Sequence, residues 1–85
     1  MQSKSALHAQ RQRWRTAVAT VLAATRRDHD VTQPQLAKRI GWSRDKVAKV
    51  EAGVRRVEFG DVVLLANALG ERPELVLRRI LGWNG

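Results

Sequence analysis

Residues 32–53 read TQPQLAKRIGWSRDKVAKVEAG, and two helix starts and two helix stops are written into them. Thr32 is suited to cap a helix, because its hydroxyl can accept a backbone N–H that has no partner in the first turn. Pro34 falls in that turn, where its missing N–H costs nothing. The pattern predicts a helix over 33–40, stopped at Gly41, since glycine alone takes a left-handed backbone without steric penalty. Ser43 caps the next helix, expected to reach about Ala52 and to end at Gly53. Leu36, Ala37, Ile40, Trp42, Val47 and Val50 are the apolar positions across the pair, and small Ala37 permits close approach. With Val47 and Val50 turned inward, the opposite side of the later helix carries Asp45, Ala48, Lys49 and Ala52, with Arg44 at its exposed N-terminal end.

Upstream, Leu7, Trp14, Val18, Val21, Leu22 and Thr25 recur at helical spacing, predicting an amphipathic helix from about Ser5 to Asp28. Asp30 and Val31 form a loop. Downstream, the basic loop from Val54 to Val57 leads to a fourth helix over about 58–69. Phe59, Val62, Val63, Leu65, Ala66 and Leu69 are expected on its apolar side, with Gly70 ending it. Pro73 opens a fifth helix that continues to about Leu81 and closes at Gly82. There is no strand-like alternation and no internal repeat. The fold class is therefore all-α with five helices: an N-terminal extension of helix one over 1–17, a domain over 18–77, and the end of the last helix with a tail over 78–85.

Composition narrows the partners. Eighty-five residues make one small domain, and the absence of cysteine excludes disulfides, thiolate metal sites and a cysteine nucleophile. His8 and His29 are too far apart for a local metal pair, so neither a metal nor a cofactor is expected, and no residue constellation supports an enzyme. Sixteen basic against eight acidic residues give a net charge of +8, which points to phosphate backbones or anionic surfaces. The positive excess lies between Met1 and Arg56, whereas Val57 to Gly85 is slightly acidic. Anion binding is thus expected in the first two thirds, and packing or association in the last. Arg11, Arg13 and Arg15 ahead of a weakly apolar run mimic a signal peptide, but Arg26 and Arg27 close that run early. A cytoplasmic chain with no membrane partner and no small-molecule ligand is expected.

A helix propped across a support, with one face free, is a helix-turn-helix arrangement whose second helix can enter a DNA major groove. Arg44 or Lys49 can donate to guanine O6 and N7, and Asp45 can accept from cytosine N4. Asp45 reads equally as a favourable acid in a first helical turn. Thr32-Gln33, Leu36-Ala37, Ile40-Gly41, Ser43-Arg44, Val47, Val50, Glu51, Gly53 and Leu69-Gly70 stand in the register of a known family. Through them the stretch from Val18 to about Leu77 resembles the Cro and phage-repressor type of helix-turn-helix domain. The resemblance implies a five-helix lambda-repressor-like fold. It implies that Arg26 and Glu51 form a structural ion pair, and that Arg44, Asp45 and Lys49 read base edges. It also implies phosphate contacts from Gln33 and from the basic loop of Arg55 and Arg56; Ser43 and Lys46 join them as phosphate candidates. Val57 stands where the family often has proline, and Glu71 where it has a larger apolar residue, so both departures bear on the dimer surface more than on the DNA face.

The two ends leave alternatives open. The extension, with Leu7 and Trp14 among Arg11, Arg13 and Arg15, either folds back over the core or frays in solution, or it forms an added partner or dimer surface with its arginines flanking DNA. In the last helix the apolar residues exceed what one face can bury, so Leu77, Ile80, Leu81 and Trp83 join Leu7 and Trp14 as candidates for such a surface. The sequence thus predicts a DNA-binding regulator, a repressor acting as a homodimer on an inverted repeat of double-stranded DNA. The competing expectation is a protein-binding antiactivator or antitoxin-like module, with a regulatory protein as its partner.

Overall fold

The structure, a computed structural model, describes residues 3–84. Met1 and Gln2 of the predicted 1–17 extension and Gly85 of the 78–85 tail lie outside the described residues. Five helices follow in order: α1 (Lys4–Asp28), α2 (Gln33–Ile40), α3 (Arg44–Glu51), α4 (Phe59–Ala68) and α5 (Pro73–Leu81).

The caps explain the boundaries. The Thr32 hydroxyl accepts the Gln35 N–H at 3.2 Å, and the Gln35 side chain accepts the Thr32 N–H at 2.9 Å. Each satisfies a donor that the helix start leaves open. Gly41 then ends α2 with φ at +70°, a conformation that costs a residue with a Cβ about 1–2 kcal/mol. Ser43 accepts the Lys46 N–H at 3.1 Å and starts α3. The Asp61 carboxylate accepts the Glu58 N–H at 3.0 Å at the start of α4.

Every helix contributes to a single core. Val18, Val21 and Leu22 of α1 meet Leu36 and Ala37 of α2, Val47 and Val50 of α3, Val62, Leu65 and Ala66 of α4, and Val76 and Ile80 of α5. Buried Thr25 returns its hydroxyl to the Val21 carbonyl at 2.7 Å, so it leaves no orphan donor. The buried stretch of α1 runs from Ala17 to Thr25. In the turn before it Trp14 still packs against the core, while most residues from Ser3 to Arg13 are exposed. No helix among the described residues is long and apolar enough to cross a membrane.

Two placements differ from the sequence reading. Phe59, expected on the apolar side of α4, is 61% exposed, because it occupies the first helical position, ahead of the stripe that Val62, Leu65 and Ala66 turn inward. Ile80, expected on a dimer or partner surface, is instead 2% exposed. It lies one turn after Val76, and this pair is the inner face of α5. Leu81, one residue on, points away and remains exposed, so the surplus apolar surface of this helix is smaller than its composition suggests.

Candidate nucleic-acid interface

The second and third helices are joined tightly enough that the turn itself becomes part of the core. Trp42 packs against that core, half-buried, and the Lys46 ammonium sits 3.9 Å from its ring centroid. The electrostatic attraction between cation and ring face fixes one basic side chain at the start of α3.

Behind α3 an ion pair joins it to α1. Arg26 Nε donates to Glu51 Oε2 at 2.6 Å and Nη2 to Oε1 at 2.9 Å, while Nη1 reaches the Val31 carbonyl at 2.8 Å. The two side chains are 12% and 7% exposed. The hydrogen bond to Glu51 holds the Arg26 guanidinium above its ordinary pKa, against the opposing effect of burial. Gln33 Nε2 also donates to Glu51 Oε1, at 3.0 Å. The amide expected to touch a phosphate is therefore braced against this carboxylate, at the N-terminal end of α2.

The outer face of α3 carries the expected base-reading residues. Arg44, Asp45 and Lys49 are all exposed. Lys49 Nζ lies 3.0 Å from Asp45 Oδ2, one helical turn away. An exposed pair of this kind is worth about 0.3–0.5 kcal/mol, less than the ~1–3 kcal/mol of a bidentate base contact. The pair can open for DNA at small cost, and Arg44 has no acidic partner among the described residues. Ser43 uses its oxygen as the α3 cap, and its hydroxyl proton is left to donate outward. Arg55 and Arg56 are exposed in the loop after α3, on the same edge as Lys46, with which they line one shallow cleft that Glu58 and Asp61 close on the far side of the loop.

The candidate association residues separate. Leu7 is 41% and Leu81 76% exposed, whereas Trp14, Leu77 and Trp83 are partly buried against the core. The Trp14 indole donates to the Val57 carbonyl at 3.1 Å and so ties α1 to the basic loop. Sequence reasoning missed this bond and two others: His29 Nε2 to Glu71 Oε1 at 2.9 Å, and Arg39 Nη1 to the Ala68 carbonyl at 3.0 Å. All three partners are far apart in the chain, where no spacing rule gives a signal. The Asp45–Lys49 pair, four residues apart, was readable from the helix period.

Five helices around one core, a tight α2–α3 turn and an exposed basic face on the second of that pair define a helix-turn-helix domain. The family described as a helix-turn-helix domain matches residues 17–78, and the chain belongs to it, within the Xre/Cro-like group. No curated protein matches the chain. The function this family supports in general is that of a DNA-binding regulator.

Proposed function

We propose that the protein is a sequence-specific transcriptional regulator, a repressor that binds an inverted-repeat operator as a homodimer through the major groove. The observation that carries this reading is the exposed face of α3, with Arg44 and Lys49 outward and Lys46, Arg55 and Arg56 along its flank. Arg44 and Lys49 would read base edges, with Asp45 available to a cytosine amine. Gln33, Ser43, Lys46, Arg55 and Arg56 would hold phosphates and fix the register. The Arg26–Glu51 pair sets the angle of α3 and takes no part in readout. A two-fold dimer would place two recognition helices about 34 Å apart, one turn of duplex.

The test is fluorescence anisotropy at near-physiological salt, with duplex from upstream of the protein's own gene beside a scrambled duplex. A preference on the order of a thousandfold that collapses in the double variant Arg44→Ala, Lys49→Ala is the expected result. Equal, salt-sensitive binding of both duplexes, indifferent to those substitutions, would reduce the interaction to charge alone.

A second reading has one observation in its favour. Ala48 and Ala52 leave the recognition face sparse, and Asp45 already holds Lys49. A protein-binding antiactivator or antitoxin-like module would show weak DNA affinity, indifferent to Arg44 and Lys49, and lose function through Leu7, Trp14 or Trp83 instead.

A further inference from the structure

Lys4, His8, Arg11 and Arg15 follow one another at spacings of four, three and four, which places them in one stripe along α1. His8, Arg11 and Arg15 line an open cleft of about 450 Å³ together with Trp14, Val57 and Arg56. Two of its lining residues are held together by the Trp14–Val57 bond. No carboxylate lines the cleft. Among the described residues none of Arg11, Arg15 and Arg56 pairs with an acid. The Nε of Arg15 is buried and has no hydrogen-bond partner, a state that is costly for a charged donor until an acceptor arrives.

We propose that this cleft is a clamp for a backbone phosphate of duplex DNA, lying outside the half-site that α3 reads. The inference rests on the DNA-binding reading above and extends it to α1. Arg56 belongs both to the cleft and to the loop beside α3, so the basic side chains of the cleft run on into those of the loop. The stripe also runs outward past the cleft to Lys4, on a helix about 37 Å long in a molecule 41 Å across its longest axis. A strand of successive phosphates can follow such a line, which a small anion in one cleft does not need. Phosphate oxygens would accept from the Arg11 and Arg15 guanidinium groups that line the cleft, and a turn of the Arg15 side chain would bring its unpartnered Nε into the same contact.

The experiment titrates the full chain against two duplexes with the same centre, one trimmed to the half-sites and one extended by half a helical turn on each side, at several salt concentrations. Arg15→Gln is compared with Arg13→Gln, which removes the same charge from the side of α1 that faces Leu81 and Trp83, with sedimentation velocity establishing that both variants assemble as the wild type does. Since Arg15 Nε has no partner to lose, an unchanged melting temperature checks that folding is intact. The wild type should bind the extended duplex more tightly. Arg15→Gln should abolish that gain and make the slope of log K against log[salt] shallower by about 0.9, one phosphate's share, while Arg13→Gln leaves both in place. Identical behaviour of the two variants, or no gain from extension in the wild type, overturns the clamp. Loss of sequence preference alone, with the Arg15 and Arg13 contrast intact, would instead count against base reading by α3.

Discussion

At the scale of single residues, Arg26 and Glu51 decide how α3 is held. Three guanidinium nitrogens have acceptors, and Glu51 accepts from both Arg26 and Gln33. Removing one partner leaves a charge that is nearly buried and short of hydrogen bonds, so Glu51→Ala should cost about 3 kcal/mol in urea unfolding. That is a large share of the roughly 5–10 kcal/mol available to a small domain. Replacing both partners by apolar residues, Arg26→Met with Glu51→Leu, should recover most of the loss. A single-variant cost below ~1 kcal/mol would mean the pair behaves as an exposed one. DNA affinity should fall in Glu51→Ala through the orientation of α3, with no change in which bases are preferred.

Between elements, the bond from His29 to Glu71 joins the end of α1 to the turn before α5. It holds the Glu71 carboxyl below its ordinary pKa, chiefly through the hydrogen bond donated by the imidazole. A carboxylate whose folded pKa is depressed stabilises the fold above the ordinary Glu value and loses that contribution as pH falls through the folded one. Glu71→Gln should therefore flatten the loss of melting temperature below about pH 4.3, with a small effect at neutral pH because the group lies at the surface. An acid limb as steep as the wild type's would show that the bond is not formed in solution. All five helices were legible in the sequence, α1 and α4 through the spacing of their apolar residues, and α2, α3 and α5 because Thr32, Ser43, Pro73, Gly41 and Gly53 act on their own neighbours. The ties between helices were not. Trp14 with Val57, Arg39 with Ala68 and His29 with Glu71 join residues distant in the chain, and only the fold sets their separation. Val57 and Glu71, the departures from the family pattern, both take part in such ties. Ile80 was misplaced for a related reason: helix period orders the residues around α5 but does not say which side the other helices cover.

For the whole molecule, the positive charge lies in the first two thirds of the chain and the last third is slightly acidic. Leu81 is 76% exposed beside half-buried Trp83, and the two share a shallow surface with Trp14 and Ala17, edged by Arg13 and Asn84. In the proposed homodimer a two-fold axis near this surface would bury Leu81 twice, once from each protomer. At about 1.5 kcal/mol or more for each buried leucine, Leu81→Arg should weaken dimerisation at least roughly a hundredfold. Sedimentation velocity reads that change directly, while anisotropy on a duplex carrying one half-site should show nearly unchanged affinity, because α3 is untouched. On the full inverted repeat the variant should fill the two half-sites independently where the wild type fills them together. If Leu81→Arg assembles as the wild type does, the dimer axis lies elsewhere; exposed Leu7 on the extension of α1 would then be the surface to change next.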